Sequence, residues 1–216
     1  MAKNKHRRER LAAEMKRRRG NRATFDRILI VCEGKKTEPN YLEEIRQELK
    51  LPKAEVRVIH SAAGTEPRQV VDYAEKVFRD DPSFDICYAV FDRDEHNTYH
   101  DALTRAAQLD KALKNDFKKT IRFHSVPTVP CFEMWILLHF ADVRSFNDRH
   151  EVIRRVGEHI KDYAKGLKGV FGLTADKLAT ATARAEILRD NYSAATGTDP
   201  YTMMDQLVAK LLSYKR

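Results

Sequence analysis

From Arg27 onward, short apolar runs alternate with longer segments in which apolar residues recur at helical spacing. The runs Arg27–Cys32 (RILIVC), Glu55–His60 (EVRVIH), Asp85–Phe91 (DICYAVF) and Thr120–Val126 (TIRFHSV) predict strands. Between them, Glu38–Lys50, Pro67–Arg79 and Thr98–Phe117 predict helices. Such alternation predicts an α/β fold, a parallel sheet whose strands are joined by crossover helices. After Val126 the pattern becomes wholly helical, with Phe132–Ala141, His150–Lys165, Ala175–Asn191 and Pro200–Ser213, so a C-terminal helical cap is expected. Asp199-Pro200 reads as an N-cap followed by proline at the first helical position. Met203, Met204, Leu207, Val208, Leu211 and Leu212 then form one apolar stripe of core type. The stretch Gly166–Gly172 (GLKGVFG) is the candidate mobile loop, and no internal repeat or low-complexity linker is visible.

Composition narrows the class. With 216 residues, 42% of them hydrophobic and 33% charged, the chain can bury a real core. No apolar stretch approaches the roughly 18–20 residues that cross a bilayer, and the N-terminus lacks the apolar segment of a secretory signal. A cytoplasmic protein with no membrane partner is therefore expected. Cys32, Cys87 and Cys131 lie far apart within apolar runs, which excludes a CxxC-type zinc site and predicts buried reduced thiols. The net charge of +8 misleads until it is located, because residues 1–22 hold ten Lys or Arg against Glu9 and Glu14 and the remainder is balanced. The expected organisation is a basic tail over 1–22, an α/β core over 23–141 and a helical cap over 142–216. Such a tail fits a solvated, partly helical extension, and it also fits a non-specific phosphate-backbone contact weakened by salt.

Candidate chemistry begins where the first strand ends, in Glu33-Gly34-Lys35-Lys36-Thr37-Glu38-Pro39. Ligands of open α/β sheets bind at the carboxyl ends of strands. Turn and helix-start chemistry explains part of this loop: Gly34 allows the bend, Thr37 caps the next helix, and Glu38-Pro39 suit its first turn. It does not require Glu33 directly after an apolar strand, nor the adjacent Lys35 and Lys36. After the third strand comes Asp92-Arg93-Asp94-Glu95-His96, and in extended geometry Asp92 and Asp94 project to the same side. Two carboxylates so close repel, a bound cation favours their joint ionisation, and all-oxygen donors suit Mg²⁺ or Mn²⁺ rather than zinc. The alternative is a polar loop with one Asp capping the following helix. His96 and His100 have the four-residue spacing of a metal pair but no nearby third ligand. Glu133 is the single acid in a helix apolar almost all round, on one face with Ile136, Leu137 and Phe140. It must be paired, neutral, metal-associated or resting at the positive end of its own helix. Parallel strands in one sheet would bring Glu33, Asp92, Asp94 and Glu133 to the same edge.

Ile30–Tyr41 (IVCEGKKTEPNY), Phe91-Asp92-Arg93-Asp94 and Pro130–Trp135 (PCFEMW) together resemble the RloB family, over roughly Phe25 to the C-terminus. That family is similar in turn to the Toprim domains of topoisomerases, bacterial primases and OLD-type nucleases, which carry a glutamate after the first strand and a DxD pair after a later one. The resemblance implies a Toprim/Rossmann-like core, a bacterial anti-phage or restriction-associated locus, and an ATPase encoded by a neighbouring gene. Val129 stands where Asn is expected in many relatives. On this footing the expected activity is that of a metal-dependent nuclease acting on DNA or RNA, tRNA included. Asp92 and Asp94 would bind Mg²⁺ or Mn²⁺, Glu33 would complete the metal site or move a proton, and Glu133 would bind metal directly or through water. Lys35 and Lys36 would neutralise the phosphate, and Arg93 would clamp it or pair with an acid. A Toprim topoisomerase needs a tyrosine domain and a strand-passage gate, more than 216 residues are expected to hold. Primase-like nucleotidyl transfer and a non-catalytic module that binds nucleic acid or the ATPase are the alternatives.

Overall fold

The computed structural model describes residues 25–53, 55–93, 96–145, 147–198 and 200–215. Strands β1 (Ile28–Cys32), β2 (Val56–His60), β3 (Ile86–Asp92) and β4 (Arg122–Val129) pair in parallel, and the short β5 (Tyr201–Thr202) lies antiparallel to β4. The sheet order is β2-β1-β3-β4-β5. Crossovers run through α1 (Thr37–Glu48), α2 (Pro67–Asp80) and α3 (Tyr99–Leu109). Every residue of β1 and β3 is buried, which is why these strands read as continuous apolar runs instead of alternating ones.

Side-chain alternation divides the interior in two. Ile28, Ile30, Cys32, Ile86, Tyr88 and Val90 join one cluster, with Tyr41, Leu42 and Ile45 of α1. Leu29, Val31, Cys87, Ala89 and Phe91 join the other, with Val70, Ala74 and Phe78 of α2 and Ala102, Ala106 and Leu109 of α3. The first cluster is completed by α4 (Glu133–Leu138), α5 (Arg149–His159), α6 (Val170–Thr174), α7 (Leu178–Asn191) and α8 (Met204–Leu212). The C-terminal helices thus cover the sheet face that α1 leaves open.

Several expectations need correction. The helix expected over Thr98–Phe117 stops at Leu109. Beyond it the Asn115 side chain accepts hydrogen bonds from the Phe117 and Lys119 amides, and a bridge pairs Lys114 with Thr120; local side-chain bonding has displaced the helical ladder. The helix expected to reach Lys165 ends at His159. The chain after Val126 is not wholly helical, because Tyr201–Thr202 pairs with Val129 and Thr128. Pro200 therefore precedes a strand, and the last helix begins at Met204, whose amide donates to Thr202 Oγ1 at 3.1 Å. Asp199 and the basic tail over 1–22 lie outside the described residues. Within Gly166–Gly172, Val170 opens α6. All three cysteines are buried and free, and among the described residues no helix is long and apolar enough to cross a membrane.

Candidate active site

Strand order reverses between β1 and β3: α1 carries the chain from β1 outward to β2 on one face, and α2 returns it to β3 across the other. In doubly wound sheets such a reversal leaves a crevice at the carboxyl ends of the two strands, here β1 and β3, and ligands bind there. Glu33 leaves β1 there with its amide bonded to Val90 O at 2.9 Å. Its carboxylate Oε2 accepts the Asp92 amide at 2.9 Å, which ties the two strand ends together. Asp92 continues the Ile86, Tyr88, Val90 alternation, so its side chain falls on the α1 side of the sheet.

Two further acids meet Asp92 on that side. Glu38, in the first turn of α1, folds back so that the Gly34 amide donates to its Oε1 at 3.3 Å. A Cβ on Gly34 would collide with that carboxylate, so glycine leaves the Glu38 side chain room to fold back. Glu133, at the start of α4, is 1% exposed. Its Oε1 accepts from Tyr163 Oη at 3.2 Å, and Lys165 Nζ stands 3.9 Å from its Oε2.

The electrostatics follow from this crowding. Burial, then the charges of Glu33, Glu38 and Glu133, push the Asp92 carboxyl well above the usual carboxylate range, against the pull of the Phe132 amide. Burial likewise raises Glu38, with Glu133 adding to it, while its own and the Gly34 amides and the Lys165 charge work in the opposite direction. Burial, then Glu133 and Asp92, push the Cys131 thiol up, which keeps it protonated. Burial and the neighbouring Glu133 also raise the Tyr163 phenol, which keeps it a donor to that carboxylate. The donor set is oxygen only, the chemistry of a hard divalent cation. Among the described residues no three His, Cys, Asp or Glu side chains already stand as a metal-holding group, and Asp94 lies outside those residues.

A family model described as RloB-like protein matches residues 28–211. The chain belongs to the RloB-like family. No curated protein and no solved structure matches it. The matched span runs from the first residue of β1 into α8, so both the crevice and the cap belong to the RloB-like unit, and the basic N-terminal run falls outside it.

Of the residues singled out in this RloB-like sequence, Glu33, Asp92 and Glu133 come together at one edge of the sheet. Lys35 and Lys36 are exposed on the β1–α1 loop. Arg93 lies over the Tyr99 ring, 5.4 Å from its centroid, and donates to His96 O at 2.9 Å. His96 lies between Glu66 Oε1 at 3.2 Å and Glu33 Oε1 at 3.7 Å, whereas His100 is exposed. Val129 is buried among the α2 and α3 side chains with Tyr201, an environment that suits valine and would strand an amide.

Three residues of the site escaped sequence reasoning. Glu38 looks like an ordinary first-turn acid, and its signal was the glycine four positions earlier that makes room for it. Thr37 is no cap either, since its Oγ1 accepts the Gly166 amide at 3.0 Å. Tyr163 and Lys165 carry no local signal, because only tertiary folding brings them to Glu133.

Proposed function

We propose that this RloB-like protein is a Mg²⁺- or Mn²⁺-dependent nucleic-acid phosphodiesterase of Toprim-like type. One observation carries the reading: Asp92 is buried at the switch point, and that burial, together with the charges of Glu33, Glu38 and Glu133, raises its pKa. Assembling like charges out of water is unfavourable, and folds keep such arrangements where a cation or a proton-transfer step uses them. Glu33, Asp92, Asp94 and Glu133 would hold the cation, and their chemistry suits it. When bound, the cation polarises a phosphate oxygen and lowers the pKa of a coordinated water. Tyr163 orients Glu133 through its hydrogen bond, and the Asp92 amide orients Glu33, which would complete the metal site or move a proton. Lys35 and Lys36 stand on the loop where they neutralise charge on the phosphate and in the transition state. A role in an anti-phage or restriction-associated system, with an ATPase partner, belongs to the same proposal.

The purified protein is incubated with labelled DNA, RNA and tRNA, with and without the neighbouring ATPase, in Mg²⁺, Mn²⁺ or a chelator. Cleavage that needs the cation and disappears in Asp92→Asn is the expected result. Binding without cation-dependent cleavage of any substrate, with or without the ATPase, would instead establish a non-catalytic module.

A further inference from the structure

We propose that Lys165, carried by the C-terminal cap, is a substrate-binding residue that holds the phosphodiester backbone beside the carboxylates. The inference rests on the phosphodiesterase reading and adds a contact to that site, with the cap as one of its walls.

Lys165 stands at a boundary. Its side chain is 45% exposed, yet its Nζ lies 3.9 Å from Oε2 of Glu133, which is 1% exposed. At that distance the pair attracts without a hydrogen bond, and the hydrogen bonds to Glu133 come from Tyr163 and the Cys131 thiol. A lysine serving purely as counter-charge to a buried acid is expected to be buried and bonded to it. This one is a hydrated point charge on a flexible stem, free to turn to another anion.

Its backbone, by contrast, is fixed. The Gly166 amide donates to Thr37 Oγ1 at 3.0 Å, and Asn40 Nδ2 donates to Gly166 O at 2.9 Å. A little further on, the Gly169 and Phe171 amides donate to the Glu44 carboxylate at 2.6 and 2.9 Å. Gly166 has φ +85°, and a Cβ there would lie 2.9 Å from Lys36 Cβ. Only glycine lets the cap approach α1 this closely. The result is a segment of the cap anchored to α1 that holds the half-exposed Lys165 ammonium beside Glu133.

Charge supplies the reason. A phosphodiester entering the crevice brings negative charge to Glu33, Glu38, Asp92 and Glu133. Lys35 and Lys36 lie exposed on the rim, whereas the charge of Lys165 already acts on Glu38, Glu133 and Cys131. Its charge offsets repulsion at these carboxylates.

The test uses the full chain as Lys165→Met and Lys165→Arg, with folding checked by circular dichroism. Binding of end-labelled single-stranded DNA and RNA of matched sequence is followed by fluorescence anisotropy across salt, in chelator, and turnover is followed separately in Mn²⁺. Loss of one phosphate contact should weaken low-salt binding roughly tenfold and lower the slope of log affinity against log salt by about 0.7. Lys165→Arg should restore the slope. On the wild-type protein, bound oligonucleotide should shield the Lys165 amine from acetylation, read by mass spectrometry, which keeps the test open if Lys165→Met does not fold. An unchanged slope in folded Lys165→Met, or an unshielded Lys165, overturns the proposal. A changed slope with RNA alone would assign the contact to RNA. If the slope changes but no cleavage is found under any condition, the phosphate contact stands and the nuclease reading fails; normal cation-dependent cleavage with an unchanged slope gives the reverse.

Discussion

Replacing Asp92 by Asn should make the cation-free protein more stable, by an amount that depends on pH. Asp92 is buried, and its pKa is raised first by desolvation and then by Glu33, Glu38 and Glu133. A carboxyl whose folded pKa lies above its unfolded value binds a proton on folding, so stability falls as pH rises from about 4 through the raised value. Asn keeps the shape and an acceptor for the Phe132 amide while removing the charge. One like-charged neighbour about 6 Å away at an effective dielectric of roughly 20 costs about 3 kcal/mol. The net gain must be smaller than three such terms, since Glu38 is itself shifted toward its neutral form and Lys165 offsets Glu133. We expect about 1–3 kcal/mol at about pH 8, or roughly 3–10 °C in melting temperature for a chain of this size. The gain should vanish near pH 4, where the wild-type carboxyl is protonated as well. Differential scanning fluorimetry of both proteins across pH, in chelator, measures it. Saturating Mn²⁺ should then stabilise the wild type by about 3 kcal/mol at a hundredfold excess over its dissociation constant and the variant far less. An Asn variant that is less stable at about pH 8, or that gains as much from Mn²⁺ as the wild type, would refute the reasoning and mark Asp92 as a structural group.

Three further outcomes follow from other parts of the fold. Burial holds the His139 imidazole down at about 4, against the bonds it makes to Trp135 O and Ile136 O, and the sign is opposite to that of Asp92. The unfolded chain binds this proton first, so stability should fall by roughly 3 kcal/mol as pH drops from about 6.5 to 4; His139→Phe should flatten that limb in denaturant titrations. Arg189 pairs with Asp205, which is 3% exposed, and Arg189→Met should cost about 3–5 kcal/mol by leaving the acid uncompensated, a loss readable as a lower urea midpoint. Gly166→Ala should destabilise by about 1–3 kcal/mol because of its backbone conformation and the clash with Lys36, and hydrogen exchange should show faster exchange at Gly169 and Phe171.

The four long strands were legible because a parallel sheet covered on both faces demands uninterrupted apolar runs, and those runs are local features of the chain. The same locality revealed Glu33 and Asp92, since an acid placed directly after such a run stands at a strand end wherever the strand sits in the sheet. Sequence motifs also carried the family, whose model spans β1 to α8. What no local pattern carries is which distant segments meet. Two residues, Tyr201 and Thr202, form a strand solely because β4 offers an edge to pair with, and by propensity alone the Pro200 signal favours a helix start. Glu38 obeys every rule for a first-turn acid, and it joins the buried cluster because α1 packs across the crevice opposite α4. Lys165 falls at the end of an expected helix that in fact stops at His159, and its place beside Glu133 depends on the hydrogen bonds that fasten Gly166, Gly169 and Phe171 to α1. Local residue type determined the four long strands and which of their ends carry charge. The charge balance of the site was decided by long-range packing, because electrostatic coupling depends on separation in space and not on separation along the chain.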